Sequence, residues 1–360
     1  RLTVLGPQEA APPASPPVLL ARYEAAALRG TDNYRESAPS RTASLDGMTY
    51  VECGGKRFDR LAFRFQVRNP GRPHLLKLFY PDDAARLFDV ILNCPSAPCA
   101  YDTQGGVLTG QEFENTNSLQ SYDVLYWPRE EDQALILTTW AEGKPAAVSA
   151  FEVYELGEAL PPLALPPAEN RRALGLYWED PMLSECFGGR RHEKDSQRFI
   201  AETADRMVTY LRWTGMNTLI YPVAFYQGPG FAMLAENLVA GSGVERHPPN
   251  YIDILLRRFE ATGDFALIPE INCCLSWSML SPIREHARTP ETGYLAVSNQ
   301  GKTLTGMFPR VNVVHPLYQE RLTEIFREMC RRWGDSPAFK GIQLHLVIES
   351  SFWFGGPEWG

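Results

Sequence analysis

GIQLHLVIESSFWFGGPEWG, residues 341–360, is the stretch on which the fold turns. Its first part, 341–348, reads as a buried strand, because Ile342, Leu344, Val347 and Ile348 are apolar and a helix-and-turn pattern precedes it. The chain then presents Glu349, two serines, Phe352 and Trp353, and a Gly-rich turn carrying Glu358 and Trp359. A carboxylate beside indoles at the mouth of a parallel strand suits a carbohydrate site. Aromatic faces stack on the apolar side of a sugar ring, and the carboxylate handles protons or the anomeric carbon. The plain alternative is a strand running into an aromatic packing loop.

Upstream of this stretch, strand and helix patterns alternate. Residues 317–333 read as a helix with Leu322, Ile325, Phe326, Met329 and Trp333 on one stripe, Pro316 in the first turn and Gly334 after the end. Residues 265–272 (FALIPEIN), 218–224 and 173–178 (ALGLYW) read as strands, and 251–262 and 196–214 as helices closed by Gly263 and Gly215. Repeated strand-then-helix units demand a parallel sheet with crossover connections. Loops after strands are long and aromatic (180–194, 225–249, 273–314), whereas loops after helices are short. That asymmetry is the pattern of a (β/α)8 barrel, with chemistry at the C-terminal strand ends. A doubly wound sheet is the competing arrangement, but no Gly-rich phosphate loop follows a strand. Four units make only the first half of a barrel, so the chain is expected to continue beyond Gly360.

Toward the N-terminus the period is two. Leu61, Phe63, Phe65 and Val67 alternate with Ala62, Arg64 and Gln66, and the turn Asn69-Pro70-Gly71 closes the strand. Further strands are expected at 75–80, 88–93, 122–127, 133–139 and 148–154, with breaks at 81–83, Gly105-Gly106, 128–130 and 143–145. Short strands at near-regular spacing imply a β-sandwich, jelly-roll-like. Residues 18–29 read as a short helix rich in Ala, Leu and Glu, and 31–44 show no period. The expected organisation is a connector over 1–45, a β-sandwich over 46–156, a Pro-rich linker over 157–170 and barrel units over 171–360.

The composition is that of a globular protein, 44% hydrophobic and 22% charged over 360 residues. A net charge of −8 and a pI near 5.4 speak against a nucleic-acid partner. No apolar run is long enough for a membrane span. The seven cysteines lack paired CxxC spacing; Cys94 and Cys99 could close a small disulfide loop or be two core thiols. There is no HxH, HExxH or acidic calcium loop, so neither a metal nor a cofactor is implied, and no GxSxG elbow points to a serine hydrolase.

Each strand mouth pairs a polar or acidic group with an aromatic. The first carries Trp178, Glu179 and Asp180; the second Tyr221 and, beyond it, Tyr226; the third Glu270, Asn272 and Trp277; the fourth Glu349 and Trp353, with Glu358 in the turn. Glu349 is the candidate general acid, since a carboxyl between an apolar strand and indoles is hard to ionise. A salt bridge to a loop arginine is its bland alternative. Glu270, after Pro269 in an apolar strand, is either a second catalytic carboxylate or a buried structural one. Glu179 and Asp180 could hold sugar hydroxyls or cap the following turn. Trp178, Tyr226, Trp277 and Trp353 are the expected platforms, while His315 reads as a helix-entry residue and His345 as an interior one.

VNVVHPLYQERL (311–322), SPAFKGIQLHL (336–346) and GGPEWG (355–360), with LGLYWEDP and GMNTLIYPVAFY, resemble the bacterial family-10-like glycosyl hydrolases, TIM-barrel proteins that follow a β-sandwich accessory module. The resemblance implies glycosidic-bond hydrolysis by two carboxylates, with Glu349 as acid/base at the end of strand four and a nucleophile expected on a later strand. This chain departs from the pattern at Ile348, where those enzymes often carry the asparagine that holds the sugar 2-hydroxyl. That departure favours the second reading, a carbohydrate-binding or scaffold protein on a degenerate barrel. The expected location is secreted or periplasmic.

Overall fold

The computed structural model describes residues 16–95, 101–112, 114–157, 172–177, 187, 196–224, 251–272, 289–303 and 312–345. These fall into two compact units, one within 16–157 together with Phe187, the other from 172–177 and 196–345.

The first unit is built from β1 (Val18–Glu24), α1 (Ala25–Leu28), β2 (Tyr34–Glu36), β3 (Arg41–Leu45), β4 (Met48–Glu52), β5 (Arg60–Gln66), β6 (His74–Pro81), β7 (Arg86–Asn93), β8 (Tyr101–Thr109), β9 (Leu119–Tyr126), β10 (Asp132–Thr139), β11 (Ala147–Val148) and β12 (Ala150–Glu155). Three antiparallel sheets result, ordered β1-β12-β6-β9, β2-β5-β10-β7-β8 and β11-β4-β3. The first two face each other as a β-sandwich. Phe151 of β12 meets Phe63 and Phe65 of β5 at 5.8 and 5.6 Å between ring centroids, and Tyr23 of β1 stacks on it at 4.8 Å. Alternation explains the core. In β5 the residues Leu61, Phe63 and Phe65 are buried while Arg60, Arg64 and Gln66 are exposed, and Phe88, Val90 and Leu92 fill the same layer from β7.

Three local expectations are corrected. Residues 18–29 are a strand followed by one helical turn, not a helix. Pairing with β12, from Val18↔Glu155 to Glu24↔Ala150, overrides helix propensity there. The aperiodic segment 31–44 and the residues read as a connector up to 45 supply β1, β2 and β3, which are strands of the sheets. Gly105-Gly106 lies inside β8, paired with Val90 and Asp89, and is not a break. At Gly105 the Tyr122 hydroxyl stands where a β-carbon would be, so a side chain there would have to displace the Tyr122 ring.

A charged group sits inside this core. Arg86 is buried and donates to Glu52 Oε2 at 2.8 Å, to Asp83 Oδ1 at 2.7 Å and to the Pro145 carbonyl at 3.2 Å. Burial works against the Arg86 charge, but the hydrogen bonds it donates to the Asp83 and Glu52 carboxylates outweigh it and raise its pKa. Burial and the hydrogen bond to Asp83 push the Tyr50 phenol up to about 12.

The second unit alternates as the sequence implies: β13 (Gly175–Tyr177), α2 (Ser196–Thr214), β14 (Thr218–Ala224), α3 (Tyr251–Thr262), β15 (Ala266–Asn272), α4 (Pro316–Trp333) and β16 (Gln343–His345). The strands form a parallel sheet in the sequential order β13-β14-β15-β16. A doubly wound sheet reverses its order near the middle, and these four strands do not. The described strands make an open four-stranded sheet; the eight-stranded closure expected from the sequence is not part of them. Ile325, Met329 and Trp333 of α4 are buried, and Trp333 Nε1 donates to Asp253 Oδ1 of α3 at 3.0 Å. His315 caps α4, its side chain accepting from the Leu317 amide, with Pro316 in the first turn.

Candidate functional site

In the parallel sheet the pleat sorts side chains onto two faces. Leu219, Tyr221, Leu267 and Ile271 are buried on one. The register places Tyr177 beside Ile220, and Glu270 between Pro222 and Gln343, on the other. Glu270 is the centre of this second face. It lies near the C-terminal end of β15 and is fully buried. Tyr177 Oη donates to its Oε1 at 3.3 Å from β13, and Gln343 Nε2 donates to its Oε2 at 3.3 Å from β16. Three strands thus converge on one carboxylate through neutral donors. Such an arrangement holds the carboxylate in one orientation and can present an oxygen to a polar ligand at the strand ends.

Of the residues read from the sequence, the structure joins Glu270 to two neighbours that sequence reasoning did not single out. Asn272 is the last residue of β15, in register with His345. Tyr221 is a correction. Read as a substrate-binding residue at the second strand mouth, it lies fully buried on the face opposite Glu270, because it is one pleat out of phase with Pro222. Trp178, Glu179, Asp180, Tyr226, Trp277, Glu349, Trp353 and Glu358 lie outside the described residues. Cys94 is buried, and Cys99 lies outside the described residues. No cluster of metal-ligand type occurs among the described residues, and none of their helices is long and apolar enough to cross a membrane.

The β-sandwich carries an aromatic group that the sequence reading passed over. Phe58 and Trp140 are 53% and 45% exposed, and their rings meet edge to face at 5.7 Å. The Arg57 guanidinium lies over both, 4.7 Å from the Phe58 centroid and 5.0 Å from that of Trp140. Backbone bonds hold the two loops together: Phe58 N to Thr139 O, Thr139 N to Asp59 O and Gly143 N to Gly55 O, each 2.8 Å. Phe58 adopts φ +71°, a left-handed conformation costly for an aromatic residue. Behind the pair Cys53 is buried against Thr139 Oγ1 at 2.9 Å, and burial pushes its thiol pKa up, which leaves it a packing group. Exposed rings set edge to face and an overlying cation make a surface group with apolar and polar edges. The flanking glycine pairs and turns at 54–55 and 143–145 were its faint sequence signal.

No family model matches the chain, and no curated protein matches it. The resemblance to family-10-like barrels therefore rests on the quoted motifs alone. Among solved structures, the chain is similar to a family 35 carbohydrate binding module from Clostridium thermocellum, at 13% identity and a TM-score of 0.28, over 37% of this chain and 98% of that one. It is similar to an exo-beta-1,3-galactanase from Phanerochaete chrysosporium at 14% identity and 0.28, over 38% of this chain and 29% of that one. A third is the CBM35 from Cellvibrio japonicus Abf62, at 13% and 0.27, over 38% and 97%.

Proposed function

We propose that this chain is a carbohydrate-active protein, a glycoside hydrolase acting on an oligo- or polysaccharide at the C-terminal ends of its parallel strands. The observation that carries the reading is the Glu270 carboxylate, buried at the end of β15 and held by Tyr177 and Gln343 from two other strands. In this reading Glu349 is the general acid/base, protonating the departing glycosidic oxygen, and Glu270 is the second carboxylate or the positioner of a sugar hydroxyl. Trp178, Tyr226, Trp277 and Trp353 stack on sugar rings, while Glu179, Asp180, Asn272 and Glu358 hold hydroxyls. The sandwich is an accessory module preceding barrel units, and the protein works in a secreted or periplasmic setting.

A second reading is a non-catalytic carbohydrate-binding or scaffold protein. The exposed Phe58–Trp140 pair beside Arg57 favours it, because exposed aromatic rings bind sugar without any carboxylate. So does the missing asparagine at Ile348.

Incubating the protein with a panel of plant, fungal and bacterial glycans, and measuring both cleavage and binding, separates the two. The hydrolase reading expects cleavage of at least one glycan and loss of it in Glu349→Gln. Binding without cleavage, dependent on Trp140, supports the second reading and overturns the first.

A further inference from the structure

The β-sandwich contains a cavity of about 590 Å³ at the end where β5 and β7 finish and β10 begins. This is the opposite end of β10 from Trp140. Its volume lies in the range of small-molecule sites. Phe65 and Tyr23 contribute ring surface, and Asn33, Arg64, Asp132 and Gln133 contribute polar groups.

Gln133 is the decisive residue. It is fully buried, and its Nε2 donates to the carbonyls of Glu130 at 2.8 Å and Asp132 at 3.0 Å. Those two carbonyls fix the amide orientation, since a flipped amide would set oxygen against oxygen. The remaining atom, Oε1, is buried and has no hydrogen-bond partner among the described residues. A buried acceptor left in this way is costly unless something donates to it. Around it, the Arg64 guanidinium makes no ion pair among the described residues, and the Asn33 side-chain amide no hydrogen bond. Asp132 Oδ1 accepts from Gln66 Nε2 at 3.1 Å, which leaves Oδ2 open to a donor.

We infer that this cavity is a binding site for a small polyhydroxylated molecule, a monosaccharide or the end of a glycan. The donor and acceptor balance carries the choice. Gln133 Oε1 is the buried acceptor that lacks a donor, and around it the exposed Asp132 side chain offers an acceptor and the exposed Arg64 and Asn33 side chains offer donors. A hydroxyl supplies both, and a ring bearing several can meet groups of both kinds at once. Its C–H face suits Tyr23 and Phe65. An inorganic anion would satisfy Arg64 but would repel Asp132 and leave Gln133 without a donor. The site stands apart from the proposed hydrolysis and holds whether or not Glu270 and Glu349 do chemistry.

The test is isothermal titration of the whole chain with D-galactose, D-xylose and D-glucuronate, each taken to millimolar concentration, for wild type, Arg64→Ala, Gln133→Leu and Trp140→Ala. Arg64 is exposed and its loss spares the fold; a melting curve for Gln133→Leu confirms that it folds. The expected result is a saturable isotherm with at least one sugar, weakened tenfold or more by Arg64→Ala and by folded Gln133→Leu, and unchanged by Trp140→Ala. No isotherm with any of the three overturns the site, since the cavity then holds only water. Binding that survives Arg64→Ala but is lost in Trp140→Ala also overturns it and assigns the sugar to the aromatic face.

Discussion

The hydroxyl of Tyr177 reaches across β14 to the Glu270 carboxylate, 3.3 Å from its Oε1, and so ties the first strand of the parallel sheet to the third. A fully buried carboxylate depends on every donor it has. Tyr177→Phe removes one while keeping the ring. The expected loss is about 1–3 kcal/mol, the usual cost of leaving a buried polar atom short of a partner. Urea denaturation of the variant against wild type measures it. An unchanged midpoint would mean that the Glu270 carboxylate does not rely on this hydroxyl.

Arg86 gives a second expectation. It is the buried cation between Glu52 and Asp83, and Arg86→Met strands two carboxylates in the sandwich core. Breaking such a pair on one side costs about 3–5 kcal/mol. Arg41 touches the same Glu52 carboxylate from a largely exposed position, and Arg41→Ala is expected to cost only a small fraction of that. Equal midpoints for the two variants would show that the buried network carries no special share of stability.

His74 sets a pH expectation. It is buried, its Nδ1 faces the Arg72 carbonyl at 2.9 Å, its ring lies beside Tyr126, and burial lowers its pKa below the usual 6.5 despite the nearby Glu155. The unfolded chain therefore takes up the proton first. The His74 contribution is fully present above pH 6.5 and is lost as the pH falls from there through the lower folded value. Melting temperatures from pH 8 to pH 5 should fall below about 6.5, and the fall should be shallower in His74→Phe. Identical slopes in the two proteins would remove His74 from the account.

The aromatic face of the sandwich gives a fourth. On the second reading, Trp140→Ala reduces retention on a polymeric glycan by tenfold or more, while monosaccharide binding at the Gln133 cavity stays unchanged, since an aromatic contact is a common source of binding energy. Trp140 is exposed in the free protein, so stability should move by no more than about 0.5 kcal/mol. Affinity electrophoresis with soluble glycans reads the first quantity and thermal melting the second. Retention equal to wild type would show that the face is not a glycan contact.

How much of this was legible depends on whether the deciding contact is local. β5, β7 and β10 alternate in sequence as they do in space, so their burial follows from the period of two. The helices α2, α3 and α4 carry their own stop signals in Gly215, Gly263 and Gly334 and were read to within one residue. β1 was not legible, because its Leu, Ala, Arg and Glu residues run into the Ala-rich turn 25–28 and favour a helix, and only its partner β12, far along the chain, makes it a strand. The turn Asp46-Gly47, with φ of +53° and +75°, joins β3 and β4 as a two-residue hairpin, and its Asp-Gly signal was present but unread. At the site, Glu270 stood out as a carboxylate in an apolar strand. Tyr221 was misplaced because the pleat decides its face, and Gln343 gained meaning only from the register of β16. Phe58 and Trp140 meet through two loops that no sequence window contains.

The central claim is that a carboxylate at the parallel-strand ends takes part in glycosidic chemistry. Its most direct test is the turnover of Glu270→Gln on a glycan that the wild type cleaves, beside a melting curve showing that the variant is folded. The substitution keeps the shape of the side chain and an acceptor for Tyr177 while removing the charge. The account predicts a fall in kcat of about 100-fold or more with the fold intact. A folded variant whose kcat stays within a few-fold of wild type would contradict it.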